Sequence, residues 1–205
     1  MSILSTNAKG ESLTSASAIT AFTSYPVSYS MMVRRSSVTE SRCLLMLEDS
    51  ASASKQLEFM TRNASNHPTD HAWRHDQNGN PTTLYDLAGT MGEWSRITVC
   101  KTAADSMTTW VGDNEYVITE SENVVNGTNG LDTFFLGGKN PTTNENGMPA
   151  YISDFAIWSN TELVQADHDL LKSYWASTIP KTPDYNWRGV SPLSDLGRDC
   201  FGGGW

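Results

Sequence analysis

The sequence has few basic residues, and this scarcity argues against some classes of binding partner. Lysine and arginine together number 14, against 23 aspartate and glutamate residues, so the formal net charge is −9 at pH 7. A surface of this sign repels phosphate backbones and anionic lipid headgroups. We therefore expect neither nucleic acid nor a membrane surface as a partner.

Long apolar runs are also missing from the sequence. No stretch approaches the roughly 20 consecutive apolar residues that a membrane-spanning helix needs. The opening Met1-Ser-Ile-Leu-Ser-Thr-Asn-Ala-Lys9 lacks the apolar centre of a signal peptide. The expectation is a chain with no secretion signal and no membrane anchor.

Cysteine is scarce, with Cys43, Cys100 and Cys200 far apart in the chain. Three distant cysteines do not form a disulfide scaffold, and a zinc site needs closer spacing. Cys43 and Cys100 lie within apolar runs, so we expect both to be small buried groups on strands.

Short runs of alternating polarity dominate from about Val27 to Trp158 and favour a single all-β domain. Val27, Tyr29, Met31 and Val33 alternate with polar neighbours, which predicts a half-buried strand. Nine strands are predicted, and this number needs two sheets. Their ranges are 27–34, 43–47, 57–61, 82–86, 94–101, 107–111, 116–119, 133–136 and 151–158.

Two local patterns give more specific predictions. The segment Gly112-Asp-Asn-Glu115 separates two strand-like runs and predicts a tight hairpin. An apolar stripe at helical spacing predicts one short helix over 163–174. The members of the stripe are Leu163, Ala166, Leu170, Leu171 and Tyr174. Ser159 and Glu162 have the spacing of a capping box at the start of that helix.

The periodic pattern divides the chain into a core and two extensions. Residues 1–12 form a small, polar N-terminal arm, residues 13–175 form the domain, and residues 176–205 form an extended C-terminal arm. The last segment is rich in glycine and proline and has neither helical nor strand periodicity.

Four motifs in order carry a resemblance to a known family. They are Gly92-Glu-Trp-Ser-Arg-Ile-Thr-Val99, Thr109-Trp-Val-Gly-Asp-Asn-Glu-Tyr-Val117, Phe134-Phe-Leu-Gly-Gly138, and Gly147-Met-Pro-Ala-Tyr-Ile-Ser-Asp-Phe-Ala-Ile-Trp158 followed by the predicted helix. Together they resemble laminin-G-like, concanavalin-A-like modules. The resemblance implies a two-sheet antiparallel jelly-roll sandwich with one short C-terminal helix. Within it, Trp94 is expected to be an apolar anchor between the sheets.

The resemblance leaves the function open, because modules of this kind serve as lectins, matrix domains, enzyme appendages and virion proteins. Hydrolases with this fold carry paired acidic residues on one strand. Glu115, Glu120 and Glu122 are the nearest candidates here, but they fall at a turn and before a loop rich in asparagine and glycine. We therefore expect no catalytic residues and no enzyme.

Metal and sugar ligands have weaker candidates. His67, His71 and His75 would line one face of a helix, but Pro68 argues against a helix there, and no metal site is assigned. Loops rich in aspartate and asparagine leave calcium as an optional ligand, with no other cofactor expected. These loops cover 76–80, 113–114, 126–132 and 140–146. Trp73 or Tyr85 would have to supply an aromatic platform for a glycan.

The aromatic residues of the C-terminal arm are its most informative feature. Tyr185, Trp187, Phe201 and Trp205 are large apolar groups in a segment too rich in glycine and proline to bury them by itself. Either the flank of the domain or a neighbouring chain must cover them. We interpret them as anchors that dock onto a partner, a role that aromatic side chains commonly have at interfaces.

The leading hypothesis is a non-enzymatic structural or adhesive subunit of a phage virion, either a capsid decoration protein or a tail or fibre component. Its partners would be other virion proteins or copies of itself, and its location the virion, assembled in the host cytoplasm. The alternative is a lectin-like module that binds surface glycans, assisted by calcium.

Overall fold

A computed structural model describes residues 3–5, 13–14, 25–35, 42–49, 51–63, 71–77, 80–84, 93–103, 106–119, 131–136 and 150–187. Within these ranges the chain forms thirteen strands, one α-helix and one 3₁₀ helix. The strands are β1 (Ile3–Ser5), β2 (Leu13–Thr14), β3 (Val27–Arg35), β4 (Arg42–Asp49), β5 (Ser52–Asn63), β6 (His71–Gln77), β7 (Asn80–Leu84), β8 (Trp94–Ala103), β9 (Ser106–Val111), β10 (Asn114–Thr119), β11 (Thr133–Leu136), β12 (Ala150–Ser159) and β13 (Tyr185–Trp187). The helix α1 covers Gln165–Ser173, and the 3₁₀ helix covers Ala176–Thr178.

The strands form two antiparallel sheets. The larger sheet has the order β1-β12-β3-β8-β9-β10, with β13 also paired to β12, and the smaller sheet has the order β2-β11-β4-β5-β6-β7. The predicted all-β sandwich with one C-terminal helix is therefore confirmed.

The main core lies between the two sheets, as the alternation in β3 predicts. Val27, Tyr29, Met31 and Val33 are buried in one cluster with apolar residues of the smaller sheet. The residues of the smaller sheet and its flanking loop in this cluster are Leu45, Leu47, Leu131, Phe134 and Leu136. Burying such side chains gives about 1.5–3 kcal/mol each, so this interior layer is the main apolar contribution to the fold.

The opposite face of the larger sheet is also buried, which the alternation alone did not predict. Ser28 and Ser30 of β3 have 0% exposure. The chain after β12 returns across this face and forms a second apolar cluster there. Its members are Ala156, Trp158, Leu163, Leu171, Ala176 and Ile179. The larger sheet is thus the middle layer of three in this part of the molecule.

Trp94 differs from its expected place between the sheets. It lies three positions before Ile97, which belongs to the main core, and alternation therefore sets Trp94 on the outer face of β8. Its side chain is half-buried. The anchors between the sheets are instead Tyr29, Phe134 and Phe155.

The predicted hairpin is confirmed. Val111 pairs with Asn114, so Gly112 and Asp113 form a two-residue turn. Gly112 has φ +58. Glycine at the first position of such a turn is typical of type II′ hairpins, which require the left-handed region there.

The predicted capping box is wrong, because the helix begins later than expected. The N-cap is Val164, whose backbone N–H donates to Oδ2 of Asp167 at 2.9 Å. Ser159 instead binds Asp184, which accepts from the Ser159 backbone N–H at 2.6 Å and from its hydroxyl at 2.8 Å. A distant acidic residue thus replaces the local partner.

Candidate functional site

The candidate site is the outer face of the larger sheet together with the segment 159–187 that covers it. We call this segment the C-terminal cover. It ends in β13, which pairs with β12 through Tyr185–Ile157, Asn186–Ala156 and Trp187–Phe155. The cover determines where the rest of the chain leaves the domain.

A buried ion pair lies beneath the cover. Nη2 of Arg96 donates to Oδ2 of Asp154 at 2.6 Å, and the two side chains are 1% and 0% exposed. Asp154 occupies a bulge in β12, where the pairing with β3 shifts between Ser153 and Ala156. Its φ of 47 lies in the left-handed region that aspartate tolerates better than most residues. The bulge adds one residue to the outer face, and so aims the carboxylate at Arg96.

The same carboxylate holds the cover. Both oxygens of Asp154 lie 3.1 Å from the backbone N–H of Ala176, which begins the 3₁₀ helix. Since a buried carboxylate needs compensating charge and hydrogen bonds, Arg96 and Ala176 stabilise it together. The position of the cover is therefore tied to a charged group inside the sheet.

His168 is a second polar contact between the cover and the sheet, and it has 0% exposure. Its Nε2 lies 2.7 Å from the carbonyl oxygen of Gly112, and its Nδ1 lies 2.8 Å from the hydroxyl of Thr98. A carbonyl only accepts, so Nε2 carries the proton and Nδ1 accepts from Thr98. The ring also stacks on Trp110, with centroids 5.9 Å apart.

The surroundings of His168 favour its neutral form. Burial lowers the pKa of His168 below its ordinary value, and the positive charges of Lys172 and Arg96 act in the same direction. The hydrogen bond to Gly112 and the charge of Asp169 oppose this shift. At neutral pH the imidazole is therefore a structural connector from helix to hairpin.

Cys100 confirms its expected role as a small buried group. It is 1% exposed and has a free thiol. Burial raises the pKa of the Cys100 thiol, so it is protonated at neutral pH. Cys43 lies on β4, and Cys200 lies outside the described residues.

Hydrogen bonds that involve Trp158, Lys181 and Asp184 hold the far end of the cover in place. The indole N–H of Trp158 donates to the carbonyl of Lys181 at 2.8 Å. Nζ of Lys181 donates to Oδ2 of Asp167 at 2.6 Å and to the carbonyl of Glu162 at 2.7 Å. The backbone N–H of Asp184 donates to the carbonyl of Ile157 at 2.9 Å.

The four predicted anchors fall in different places. The ring of Tyr185 packs inside its own chain, with its centroid 4.7 Å from that of Phe134 and 6.1 Å from that of Phe155. This placement differs from the expected partner anchor, because the ring completes the main core. Trp187 lies on β13, opposite Phe155. Phe201 and Trp205 lie outside the described residues.

The extensions also differ from the expected arms. Residues 176–187 of the expected C-terminal arm belong to the cover and to the larger sheet. Ile3–Ser5 of the expected N-terminal arm forms β1, paired with β12. Both extensions contribute strands because β12 would otherwise be an edge with unpaired backbone groups.

A row of large side chains lies at one end of the outer face. Arg34 of β3 is in register with Trp94 of β8 and with Tyr151 of β12, and all three are half-buried. The guanidinium carbon of Arg34 lies 5.9 Å from the centroid of the Tyr151 ring. We call these residues the aromatic row. The expected platform residues lie elsewhere, with Trp73 on β6 and Tyr85 outside the described residues.

The metal and acidic candidates are separated or only partly described. His71 and His75 lie on β6, a strand, which confirms the argument against a helix there, and His67 lies outside the described residues. Glu115 is exposed on β10, whereas Glu120 and Glu122 are outside the described ranges. Among the residues that the structure describes, no group of three or more histidine, cysteine or acidic side chains could hold a metal ion.

Asp113, one of the candidate calcium ligands in the loops, binds a lysine side chain. Its Oδ1 accepts from Nζ of Lys172 at 2.8 Å, and this contact lowers the pKa of the Asp113 carboxyl.

In the described ranges no helix is both long and apolar enough to cross a bilayer.

Comparison with known proteins relates the chain to others through its fold. Neither a family model nor a curated protein matches the chain. Among solved structures, the heptameric SAP-like pentraxin of Limulus polyphemus has a TM-score of 0.63 at 9% identity, over 83% of this chain and 80% of the pentraxin chain. Domains LG4-5 of the mouse laminin alpha1 chain have a TM-score of 0.54 at 11% identity, over 77% of this chain and 43% of theirs.

Two further structures show how widely the fold is used. The binding domain of botulinum neurotoxin serotype D has a TM-score of 0.53 at 17% identity, over 83% of this chain and 44% of that one. A Trypanosoma rangeli sialidase has a TM-score of 0.50 at 12% identity, over 70% of this chain and 22% of the enzyme. At these identities the likeness concerns the fold alone. The chain therefore has the concanavalin-A-like, laminin-G-like jelly-roll fold that its motifs predicted.

Proposed function

We propose that this protein is a non-catalytic structural or adhesive subunit of a phage virion, a capsid decoration protein or a tail or fibre component. In this role the domain is a rigid body, and the chain after Trp187 attaches it to a partner. The partner is another virion protein or a second copy of the chain.

The observation that carries the proposal is the fixed exit of the C-terminal cover. Asp154, His168 and the carbonyl of Lys181, which accepts from Trp158, fasten the cover to the sheet at separate points, and β13 adds three backbone pairs. Such fastening gives residues 188–205 a defined point of departure. Phe201 and Trp205, which follow, are the kind of side chains that dominate binding energy at interfaces.

Fold relatives support a binding role in general terms. The pentraxin is heptameric, and the neurotoxin fragment is a binding domain. A sialidase shares the fold too, so the proposal of a non-catalytic protein rests on this chain's own residues. In this chain the buried Arg96–Asp154 pair and His168 make contacts that hold the cover in place, which is a structural role.

The test is a truncation placed where the structure allows it. A chain ending after Trp187 keeps Tyr185 in the core. A chain ending after Trp175 would lose both the contacts of Lys181 and Asp184 and the strand β13. A second variant keeps the full length and carries Phe201→Ser and Trp205→Ser, so that it removes the two aromatic side chains without shortening the chain. Mass in solution by light scattering and co-sedimentation with virions purified from the host culture are the readouts.

We expect both altered chains to fold, to lose self-association or virion binding, and to resemble each other. Unchanged assembly of the truncated chain would overturn the anchoring role of the tail. Absence of the native chain from purified virions, probed with an antibody, would overturn the virion role.

The aromatic row supports a second candidate function, the binding of an acidic glycan. A guanidinium beside aromatic rings can pair with a carboxylate while a ring stacks on the apolar face of a sugar. Titration with N-acetylneuraminic acid, with and without calcium, tests it, and N-acetylglucosamine is the neutral control. Saturable binding that is lost in Arg34→Gln supports this candidate, and equal, unsaturable responses to both sugars contradict it.

A further inference from the structure

Helix α1 buries few side chains. Its buried residues are Asp167, His168 and Leu171, of which Leu171 alone is apolar. Asp167 is paired with Lys181, another residue of the cover. The buried contacts of α1 with the sheet therefore come from one leucine and one imidazole. A segment with so little buried apolar area can open locally while the rest of the fold stays closed.

The imidazole of His168 has only uncharged hydrogen-bond partners, the carbonyl of Gly112 and the hydroxyl of Thr98. The ring has 0% exposure. A second proton would therefore place a positive charge in a buried site without a hydrogen-bonded carboxylate to balance it. Burying a charge in such a site is costly.

The hydrogen bonds of the ring survive protonation, so the charge itself is the cost. The hydroxyl of Ser30 donates to the carbonyl of Ile97 at 2.9 Å and lies 3.0 Å from the hydroxyl of Thr98. When the ring is neutral, Thr98 donates to Nδ1 of His168. When the ring is protonated, Nδ1 donates to Thr98, and the hydrogen of Thr98 turns to Ser30, which can accept it.

The charged groups around His168 lie on four strands, the hairpin and α1 itself. They are Arg96 on β8, Asp154 on β12, Asp113 at the hairpin, Glu115 on β10, and Lys172 and Asp169 on α1. Asp154 is bound to Arg96 at 2.6 Å, and Asp113 and the half-exposed Asp169 are bound to Lys172 at 2.8 and 3.1 Å. Burial is the largest cause that lowers the pKa of His168, and Lys172 and Arg96 lower it further.

The rest of the cover has contacts that do not involve the imidazole. The backbone N–H of Ala176 donates to the carboxylate of Asp154. The indole of Trp158 donates to the carbonyl of Lys181, and β13 pairs with β12. These contacts lie on the β12 side of the sheet, whereas His168 binds β8 and the hairpin after β9.

We propose that His168 makes α1 an acid-sensitive element of the fold: in mildly acidic solution α1 separates from Thr98 and from the carbonyl of Gly112, while the 3₁₀ helix and β13 stay on β12. The inference goes beyond the proposed function, because it concerns the domain alone and holds for any partner of the tail.

The direction of the effect follows from proton linkage. Separation lets water reach the ring, whose pKa then returns to its ordinary value of about 6.5. Below that pH the open form binds a proton that the closed form does not, so lowering the pH shifts the equilibrium toward the open form. With a closed ring that stays neutral, the opening equilibrium rises by about tenfold between pH 7.5 and pH 5.5, and this is the upper limit.

Residue-resolved hydrogen exchange of the full chain, measured by NMR at pH 7.5 and pH 5.5, tests the proposal. The reporters are the backbone N–H groups of residues 169–173 in α1. The references are the N–H groups of Ala176 and Asp184, which donate to β12, and those of residues 97–99 in β8. Each rate is compared with that of an unstructured amide at the same pH, so that the pH dependence of the exchange chemistry cancels.

We expect the protection of 169–173 to fall by up to about tenfold at pH 5.5, and the protection of the reference amides to stay unchanged. Unchanged protection in α1 would overturn the proposal. An equal fall in 97–99 would overturn it too, because the whole domain would then open together.

Two variants assign the effect to the imidazole. His168→Gln keeps a donor for the carbonyl of Gly112 but does not titrate, so its α1 amides should be less protected and equally so at both pH values. The matched control is Asp113→Asn, which removes the other contact between α1 and the hairpin and should keep the fall. A fall that persists in His168→Gln would overturn the assignment to His168.

A measurement on the unaltered chain applies if His168→Gln fails to fold. In an NMR titration of the imidazole nitrogens, His168 should keep a neutral ring with the proton on Nε2 in the closed form below pH 6.5. Protonation of His168 at its ordinary pKa, with α1 still protected, would contradict the proposal.

Discussion

The two faces of the larger sheet are both buried but are built from different chemistry. The inner face contributes Tyr29, Ile97 and similar apolar side chains to the main core. The outer face buries an arginine, an aspartate and a histidine beside a smaller apolar cluster. Apolar contacts are tolerant of direction, whereas hydrogen bonds and ion pairs have specific geometry. The inner face therefore supplies most of the stability, and the outer face determines the position of the cover.

The largest expected effect comes from removing the buried counter-charge. Asp154→Asn keeps the size of the side chain and its tolerance of positive φ but removes the carboxylate 2.6 Å from Arg96. Breaking a buried ion pair on one side costs about 3–5 kcal/mol. Denaturant unfolding should show this loss, and Asp113→Asn, at the exposed ion pair with Lys172, should change stability little. Equal losses in the two variants would contradict the importance of the outer face.

Shortening one buried leucine on each face of the larger sheet tests the comparison between the two faces further. Leu171→Ala and Leu47→Ala each remove a fully buried leucine, from the second cluster and the main core respectively. Each should lower stability by about 2–5 kcal/mol. Hydrogen exchange should show Leu171→Ala exposing mainly the amides of 159–187, because the sandwich remains closed beneath the cover. Uniform loss of protection in both variants would show that the two faces unfold as one unit.

The smallest expected effect is a dependence of stability on pH. Burial lowers the pKa of His168 in the folded chain below its ordinary value of about 6.5. Just below pH 6.5 the unfolded chain therefore binds more protons than the folded chain, and stability falls as the pH is lowered from there toward the folded pKa. His168→Gln should be less stable overall and should lose this slope below about pH 6.5. An identical slope in the variant, measured by thermal unfolding, would assign it to other groups.

The sequence predicts the sandwich well because strand alternation and turn residues are local signals. The hairpin at Gly112 and the alternation of β3 required only neighbouring residues. The cover was less predictable, since Ser28 and Ser30 have the pattern of a solvent-facing surface. One signal was present: the nearly continuous apolar run Phe155-Ala-Ile-Trp158 is typical of a strand buried on both faces.

The polar residues of the candidate site escaped prediction for a related reason. His168 lies three residues before Leu171, on the buried side of α1, but a polar residue there does not fit an apolar stripe. Ala166 and Tyr174, which the stripe did include, are exposed. The partners of His168 are 56 and 70 residues away, and no local pattern identifies them.

Strands β1 and β13 lie end to end along β12 and bring the two ends of the described chain into one line. Trp187 stands opposite Phe155 and Ile3 opposite Ile152, so about three strand steps, or roughly 10 Å, separate them. A linker of a few residues would turn two short strands into one continuous edge. A circularly permuted protein with new ends opened at the Gly112 turn should therefore keep the sandwich.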